Sequence, residues 1–256
     1  MKKIAVFVGM GLFIMEIVGT CQAASIGPME PLGPMKVGIG AEYNGFGRDL
    51  GSNGSITSGE IKSSNQGYVE LALGITDWAN IYGKIGMANL EQKVNWNVSI
   101  NQTIKYDYGF LWGVGSNALF NIGNNFGIGG DIQLNMWFSD ADSISGSNNP
   151  TFVQKGSLKN YEFQTAAYLK YDYQVNADSK ITPYLGGYYS YFRSNIDKTI
   201  EFQDGTYDYL LGDMEGKDSL GILAGLNIAA SQNIYFKLEG RFIAETAGSI
   251  GVFYKY

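Results

Sequence analysis

Ile250-Gly251-Val252-Phe253-Tyr254-Lys255-Tyr256 closes the chain with an apolar or aromatic residue at every second position. Side chains alternate faces along a β-strand, so these residues build one apolar face that runs to the last residue. Chain ends normally fray unless something holds them. A closed antiparallel barrel holds its last strand by pairing it with the first, which leaves no sheet edge facing lipid.

The same two-residue period returns upstream. Val37, Ile39, Ala41 and Tyr43 form one such face, and Val69, Leu71, Leu73 and Ile75 another. Further faces run through Ile81–Met87, Tyr106–Val114, Phe126–Met136, Tyr161–Leu169, Ile181–Tyr191, Leu220–Leu226 and Ile234–Phe242. With the terminal segment this gives about ten strands, with eight and twelve as alternatives, each near the length a tilted membrane strand needs. Short connections near 76–79, 121–125, 174–180 and 229–232 alternate with long ones near 45–60, 89–105, 139–159 and 194–217, and a brief one at 244–248. An even count puts both termini on one side. Val94, Trp96, Val98 and Ile100 continue the alternation, which predicts strands rising above the membrane and turning near Asn101. Asp204-Gly205, between Ile200-Phe202 and Tyr207-Tyr209, is a two-residue hairpin signal. The fold class expected is an all-β, closed, up-and-down transmembrane barrel over residues 35–256.

A charge at mid-membrane costs roughly 2–4 kcal/mol on the lipid side, so the polar face must line the lumen. The lumen charge network expected is Glu42, Glu70, Asp131, Glu162 and Glu239 against Lys84, Lys170, Lys237 and Arg241, with Lys255 beside the terminus. Paired charges are how a low-dielectric interior tolerates ions. Tyrosine and tryptophan are expected in girdles at the two membrane interfaces.

The first 24 residues read as a cleaved signal peptide: Lys2 and Lys3, an apolar run from Ile4 to Met15, then Gln22-Ala23-Ala24, with cleavage after Ala23 or Ala24. Glu16 ends the run short of a membrane-spanning helix. Residues 25–34 are expected to be a short lead-in. Removal of the signal takes away Lys2, Lys3 and Glu16, leaving 16 basic against 23 acidic residues and a net charge of −7. It also removes Cys21, the only cysteine, so no disulfide framework remains. An acidic chain with no basic patch argues against nucleic acid.

These features together resemble the small bacterial outer-membrane β-barrel proteins of the OmpA, OmpX and opacity-protein type. The residues carrying the resemblance are the signal, the up-down pattern, the Gly74-Ile75-Thr76-Asp77-Trp78-Ala79-Asn80-Ile81-Tyr82 turn and the aromatic end. The resemblance implies residence in the outer membrane with periplasmic termini. It also implies that Val252, Tyr254 and Tyr256 form an assembly signal for the barrel-insertion machinery. Outer-membrane lipid and that machinery are the partners expected, and a monomer the expected state.

Catalysis is not expected. The chain has no histidine, which removes the Ser-His-Asp arrangement and most zinc sites. Barrel proteases, phospholipases and lipid A deacylases resemble the fold, but each relies on a histidine. Gly113-Val114-Gly115-Ser116-Asn117-Ala118 imitates a dinucleotide fingerprint but sits inside a strand with no helix following. No cofactor is expected. The acidic stretch 201–218 could offer oxygen ligands to calcium, although EF-hand spacing is absent. Two functions fit: a barrel with a largely plugged lumen and a structural or surface-interaction role, or a narrow porin-like channel. Inward Tyr68, Tyr82, Tyr168 and Tyr188 favour the first.

Overall fold

The computed structural model describes residues 25–53, 56–96, 100–146, 153–201 and 207–256. The expected signal peptide, residues 97–99 and the expected hairpin turn at Asp204-Gly205 lie outside the described residues. Twelve strands follow in order: β1 (Val37–Asn53), β2 (Ile56–Gly74), β3 (Ala79–Trp96), β4 (Ile100–Gly123), β5 (Phe126–Gly146) and β6 (Val153–Tyr171). After them come the two-residue β7 (Tyr173–Gln174), then β8 (Lys180–Glu201), β9 (Tyr207–Gly216), β10 (Leu220–Ala229), β11 (Ile234–Phe242) and β12 (Thr246–Lys255).

Antiparallel neighbours run β1 to β6 and then β8. The first half of β8 pairs with β10, which pairs with β11, and β11 with β12. β12 then pairs with β1 from Gly38↔Lys255 to Gly47↔Thr246, and the ring closes with ten strands. The final aromatic residues take part in that closure, as Ile39↔Tyr254 and Ile234↔Tyr254. The β11–β12 hairpin is short, reversing at Ile243 (φ 86°). Beyond it β9 fills the gap, pairing with the second half of β8 and with β1 from Leu50↔Gly216 to Asn53↔Asp213. Past that hairpin the wall is therefore a ring of eight strands, here called the collar. The opposite rim, where the tight turns lie, is the turn end.

Several stretches expected as long connections are strand instead, because the hairpins climb well past the membrane. At about 3.3 Å per residue, the 24 residues of β4 trace roughly 80 Å, against the 9–11 residues a tilted span requires. Asn101, where the alternation predicts the turn, lies within β4 instead and pairs with Asn95. Tyr106, expected on the outer apolar face with Tyr108 and Phe110, is buried inside. The reason is the irregular register between Tyr106 and Leu111 in β4, which flips the alternation. A similar shift between Ile61 and Ser63 turns Ile61 inward.

Around the ten-stranded part the outside is a belt of exposed Leu71, Ile81, Ile85, Val114, Ile132, Leu134 and Leu185. Such a belt is stable only against lipid. Aromatic pairs border it at the turn end, with Trp78 stacked on Phe120 at 5.0 Å and Phe126 against Tyr171 at 4.8 Å. Tyr43, Tyr108, Tyr189 and Tyr191 border it below the collar. The chain is a transmembrane β-barrel with a water-exposed extension.

Candidate functional site

Among the described residues, charged side chains converge in the lumen of the ten-stranded part. Glu42, Glu70, Lys84, Asp131, Glu162, Lys170, Lys237, Glu239 and Arg241 all point into it, because they occupy the inward parity of their strands. They form separate small groups. Lys237 Nζ lies 2.8 Å from Glu42 Oε2, and the Tyr68 hydroxyl donates to Glu42 Oε1 at 2.8 Å. Lys84 Nζ stands 3.8 Å from Glu70 Oε2 and hydrogen-bonds Gln133 Oε1 at 2.8 Å. Arg241 Nε donates to Glu239 Oε1 at 2.8 Å, and the Tyr184 hydroxyl to Glu239 Oε2 at 2.8 Å. Asp131 accepts from the Tyr82 hydroxyl at 2.8 Å.

Four tyrosines fill much of the remaining bore, and each lies flat over an inward glycine of a neighbouring strand. A Cβ on Gly115, Gly129, Gly221 or Gly225 would fall 2.2–2.4 Å from the ring of Tyr82, Tyr168, Tyr188 or Tyr184 respectively. The inward glycines are thus sockets for aromatic rings, which a pattern read one strand at a time cannot reveal.

Three parts of the site lay outside the sequence reading. The first is Arg48 with Glu245. Arg48 bonds Glu245 directly, donates to Ser190 Oγ at 2.8 Å and stands 3.8 Å from Glu162. Both residues fall in stretches that the sequence pattern marks as connections. The second is the turn-end rim, where Lys180 Nζ holds Glu30 at 2.8 Å and Asp172 at 3.6 Å, and Lys170 lies 3.3 Å from Asp172. Burial alone would raise the Asp172 carboxyl, yet the Thr182 hydroxyl and the two lysines outweigh it and hold it below the ordinary carboxylate value. The third is the segment 25–32, taken as a lead-in, which runs inside the barrel. Ser25, Ile26, Met29 and Leu32 are all buried. Lys84 Nζ and Gln133 Nε2 donate to the Ser25 carbonyl at 2.9 and 3.1 Å. Lys237 donates to the Ile26 carbonyl and Asn117 to that of Pro28. Gly27 N–H donates to Asp131 at 3.0 Å, and Leu32 N–H to Asn80 at 3.0 Å. Lys255, at the rim, donates to the Pro31 carbonyl at 3.0 Å.

The collar interior has the opposite character. Phe46, Trp137 and Phe192 meet edge-on or tilted with ring centroids 5.8–6.1 Å apart. Leu50, Ile61, Leu90, Val94, Ile104, Leu111, Leu158 and Met214 pack with them as one buried cluster. Arg48 sits 5.3 Å from the Phe192 ring centre, where the polar and apolar zones meet. The bore is therefore closed at two levels: by the inserted segment with its polar partners, and by an apolar core above them. Beside the inserted segment, a gap bordered by Met29, Glu42, Glu70 and Lys237 holds about 30 Å³, room for a few waters and nothing larger. Among the described residues no acidic group is arranged to hold a metal ion. Asp213, from the acidic stretch, pairs with Arg193.

A ring of this kind, greasy outside and charged within, defines the fold of the small bacterial outer-membrane β-barrels. Compared with solved structures, the chain is similar to the outer membrane protease OmpT of Escherichia coli, at 10% identity over 91% of this chain and 99% of that one, with a TM-score of 0.51. It also matches the translocator domain of the autotransporter NalP of Neisseria meningitidis, at 12% identity over 100% and 98% with a TM-score of 0.46. The outer membrane protein OprG of Pseudomonas aeruginosa matches at 10% identity over 89% and 99% with a TM-score of 0.41. No protein-family model matches the sequence, and no curated protein does. At such identity the likeness speaks for the fold alone.

Proposed function

We propose that this protein is an integral barrel of the bacterial outer membrane with a closed lumen, that it is not an enzyme, and that its work is done by its outer surface. In this reading the turn end and both termini face the periplasm and the collar stands outside the cell. The observation that carries it is the double closure of the bore. A conducting pore would need the 25–32 segment to leave and the Phe46–Trp137–Phe192 core to part. Parting that core would expose three aromatic side chains to water, at about 25 cal/mol per Å² of apolar surface. The collar presents Glu60, Lys62, Lys105, Asp140, Asp142 and Lys159 to water, a mixed-charge face suited to polar partners outside the cell.

The polar wall of the membrane part favours the narrow-channel reading in one respect, since its charges would serve ions. Single-channel recording of the refolded protein separates the two. The closed reading expects a silent membrane under voltage. Reproducible conductance steps from the wild-type protein would overturn it.

A further inference from the structure

Residues 25–32 lie in the bore from Pro31 at the Lys255 rim to Ser25 at the Lys84–Gln133 level. Gly33 (φ 87°) makes the reversal that returns the chain to β1, with Lys36 N–H donating to the Gly33 carbonyl at 3.2 Å. The stretch is open chain, bent at Gly27, Met29 and Glu30, with neither helix nor strand. Pro28 and Pro31 fix their own φ and carry no N–H, so the stretch offers mainly carbonyls. The wall meets them with donors. The carbonyls of Ser25, Ile26, Pro28, Glu30 and Pro31 accept from Lys84 with Gln133, Lys237, Asn117, Asn80 and Lys255 in turn. The N–H groups of Gly27 and Leu32 donate to Asp131 and Asn80. Ile26 and Met29 pack among Tyr168, Tyr184 and Leu223, Leu32 packs with Ala72 and Tyr82, and Glu30 pairs with Lys180 at the rim. Gly27 rests on Tyr82 so closely that a Cβ there would fall 2.2 Å from the ring.

The groups that grip this stretch inside the bore also hold partners in the wall. Lys84 donates to Gln133 Oε1 at 2.8 Å, Gln133 to Gln164 at 2.6 Å, and Lys237 lies 2.8 Å from Glu42. Asp131 accepts from the Tyr82 hydroxyl at 2.8 Å, and Asn80 donates to Asn117 at 2.9 Å. Lys84 stands 3.8 Å from Glu70 Oε2, which accepts no hydrogen bond from any described residue. Without the Ser25 carbonyl, Lys84 is free to turn to it. The wall thus stays paired with the stretch withdrawn, and the penalty for stranding buried polar groups does not arise. We propose that the turn-end half of the lumen is a peptide-binding chamber that reads main chain, and that residues 25–32 are its tethered, exchangeable occupant. The collar core closes the chamber above, so a peptide enters and leaves only at the turn end. The ligand it fits is an open-chain stretch of another polypeptide. That stretch carries glycine against Tyr82, apolar residues at the places of Ile26, Met29 and Leu32, and a carboxylate at the Lys180 rim. A tethered occupant competes at an effective concentration on the order of millimolar, so residues 25–32 hold the chamber until a tighter peptide displaces them.

The chamber rests on the closed-lumen reading for its blind end, but its test reads peptide binding and not conductance, so the two can fail separately. The probe is the acetylated octapeptide of residues 25–32 with a fluorophore at its C-terminal end. Binding is read as anisotropy on the full-length barrel in detergent. Gly27→Val keeps the chain's own segment off Tyr82, so this barrel should bind the probe about tenfold or more tightly than the wild type, whose segment competes. N-methylation of the probe at its glycine removes the N–H that Asp131 accepts and should weaken binding about tenfold or more. Equal binding by wild type and Gly27→Val overturns the proposal, and so does a heat-modifiable Gly27→Val barrel with no saturable binding. An N-methylated probe that binds as well as the parent overturns the main-chain reading. A second form covers a Gly27→Val chain that fails to assemble. Residues 33–35 are replaced by a protease recognition sequence, and the barrel is cut after it has folded. The cut barrel should release its segment and take up the probe. A segment that stays in place through prolonged washing with excess probe overturns the exchange.

Discussion

Lys84 and Glu70 stand 3.8 Å apart inside the lumen, and Lys105 and Glu91 stand 3.8 Å apart on the outer face of the collar. The first two side chains are almost wholly buried, while the second two are 59% and 28% exposed. One distance thus serves two different physical situations, and the same contrast runs through the whole wall. Below the β11–β12 hairpin the strands are apolar outside and polar inside. Above it they are polar outside and apolar inside, still with a two-residue period. The solvent explains the inversion. Where lipid lies outside, burying apolar groups in the bore brings little gain, and buried polar groups strengthen one another at low dielectric. Where water lies outside, the ordinary hydrophobic effect fills the bore instead. Identical backbone geometry therefore carries an inside-out barrel and an ordinary one, joined end to end.

The sharpest way to break this picture is at the seam. The membrane ring closes through β1–β12, whereas the collar closes through β1–β9. Deleting Tyr254–Tyr256 removes Gly38↔Lys255, Ile39↔Tyr254 and Ile234↔Tyr254 and shortens only the lower seam at its turn-end rim. The expected outcome is loss of the assembled, heat-modifiable band from outer-membrane fractions. A normal band would mean that the remaining pairs, Gly40↔Phe253 to Gly47↔Thr246, hold the barrel shut without the terminal aromatic residues.

Next come paired truncations of large side chains in the two halves. Trp137→Ala leaves a cavity in the collar core, and urea unfolding from lipid vesicles should show a loss of about 3–5 kcal/mol. Phe110→Ala, on the lipid belt where it is 57% exposed, should cost about half of that or less, because fluid acyl chains occupy the space. Equal losses would contradict the assignment of Trp137 to a closed core. In the lumen, Lys84→Met keeps the volume of the aliphatic stem but removes one of two donors to the Ser25 carbonyl, the shorter donor to Gln133 Oε1 and the cation beside Glu70. About 3 kcal/mol is expected, at the low end for breaking a buried ion pair. A stability gain would show that the lumen prefers an apolar filling, as the collar does.

The two halves were not equally legible in the sequence. Period-two alternation exposed the membrane strands, because lipid demands an unbroken apolar face such as Val69, Leu71 and Leu73. The alternation from Val94 to Ile100 signals strands above the membrane, but the rest of the collar reads as loop for two reasons. Bulges at Ile61–Ser63 and Tyr106–Leu111 break the alternation, and the apolar face changes sides, so Phe46 and Leu50 continue the parity of Glu42 and Asn44. The inward charges followed from parity alone, but their partners did not. Arg48 and Glu245 lie 197 positions apart, and nothing local links them. Residues 25–32 carry no period, since the wall reads their backbone through Lys84, Asp131, Asn117 and Lys237. A segment recognised by its peptide groups leaves almost no mark in its own side chains.

The smallest effect tests the opening comparison most directly. Lys105→Ala removes one partner of Glu91, which keeps Lys62 Nζ at 3.6 Å. An exposed ion pair gains little in high dielectric and spends side-chain freedom to form, so its worth is about 0.2–1 kcal/mol. With a second lysine in place, the loss should sit at the lower end of that range. Screening falls to roughly 3 Å at 1 M salt, so the loss should vanish there, while the Lys84→Met deficit, shielded from ions, should stay. Urea titrations of both variants at low and high salt give the four numbers required. A Lys105→Ala deficit above about 1 kcal/mol that ignores salt would mean the outer face of the collar is itself covered, and the division between its wet outside and dry inside would have to be redrawn.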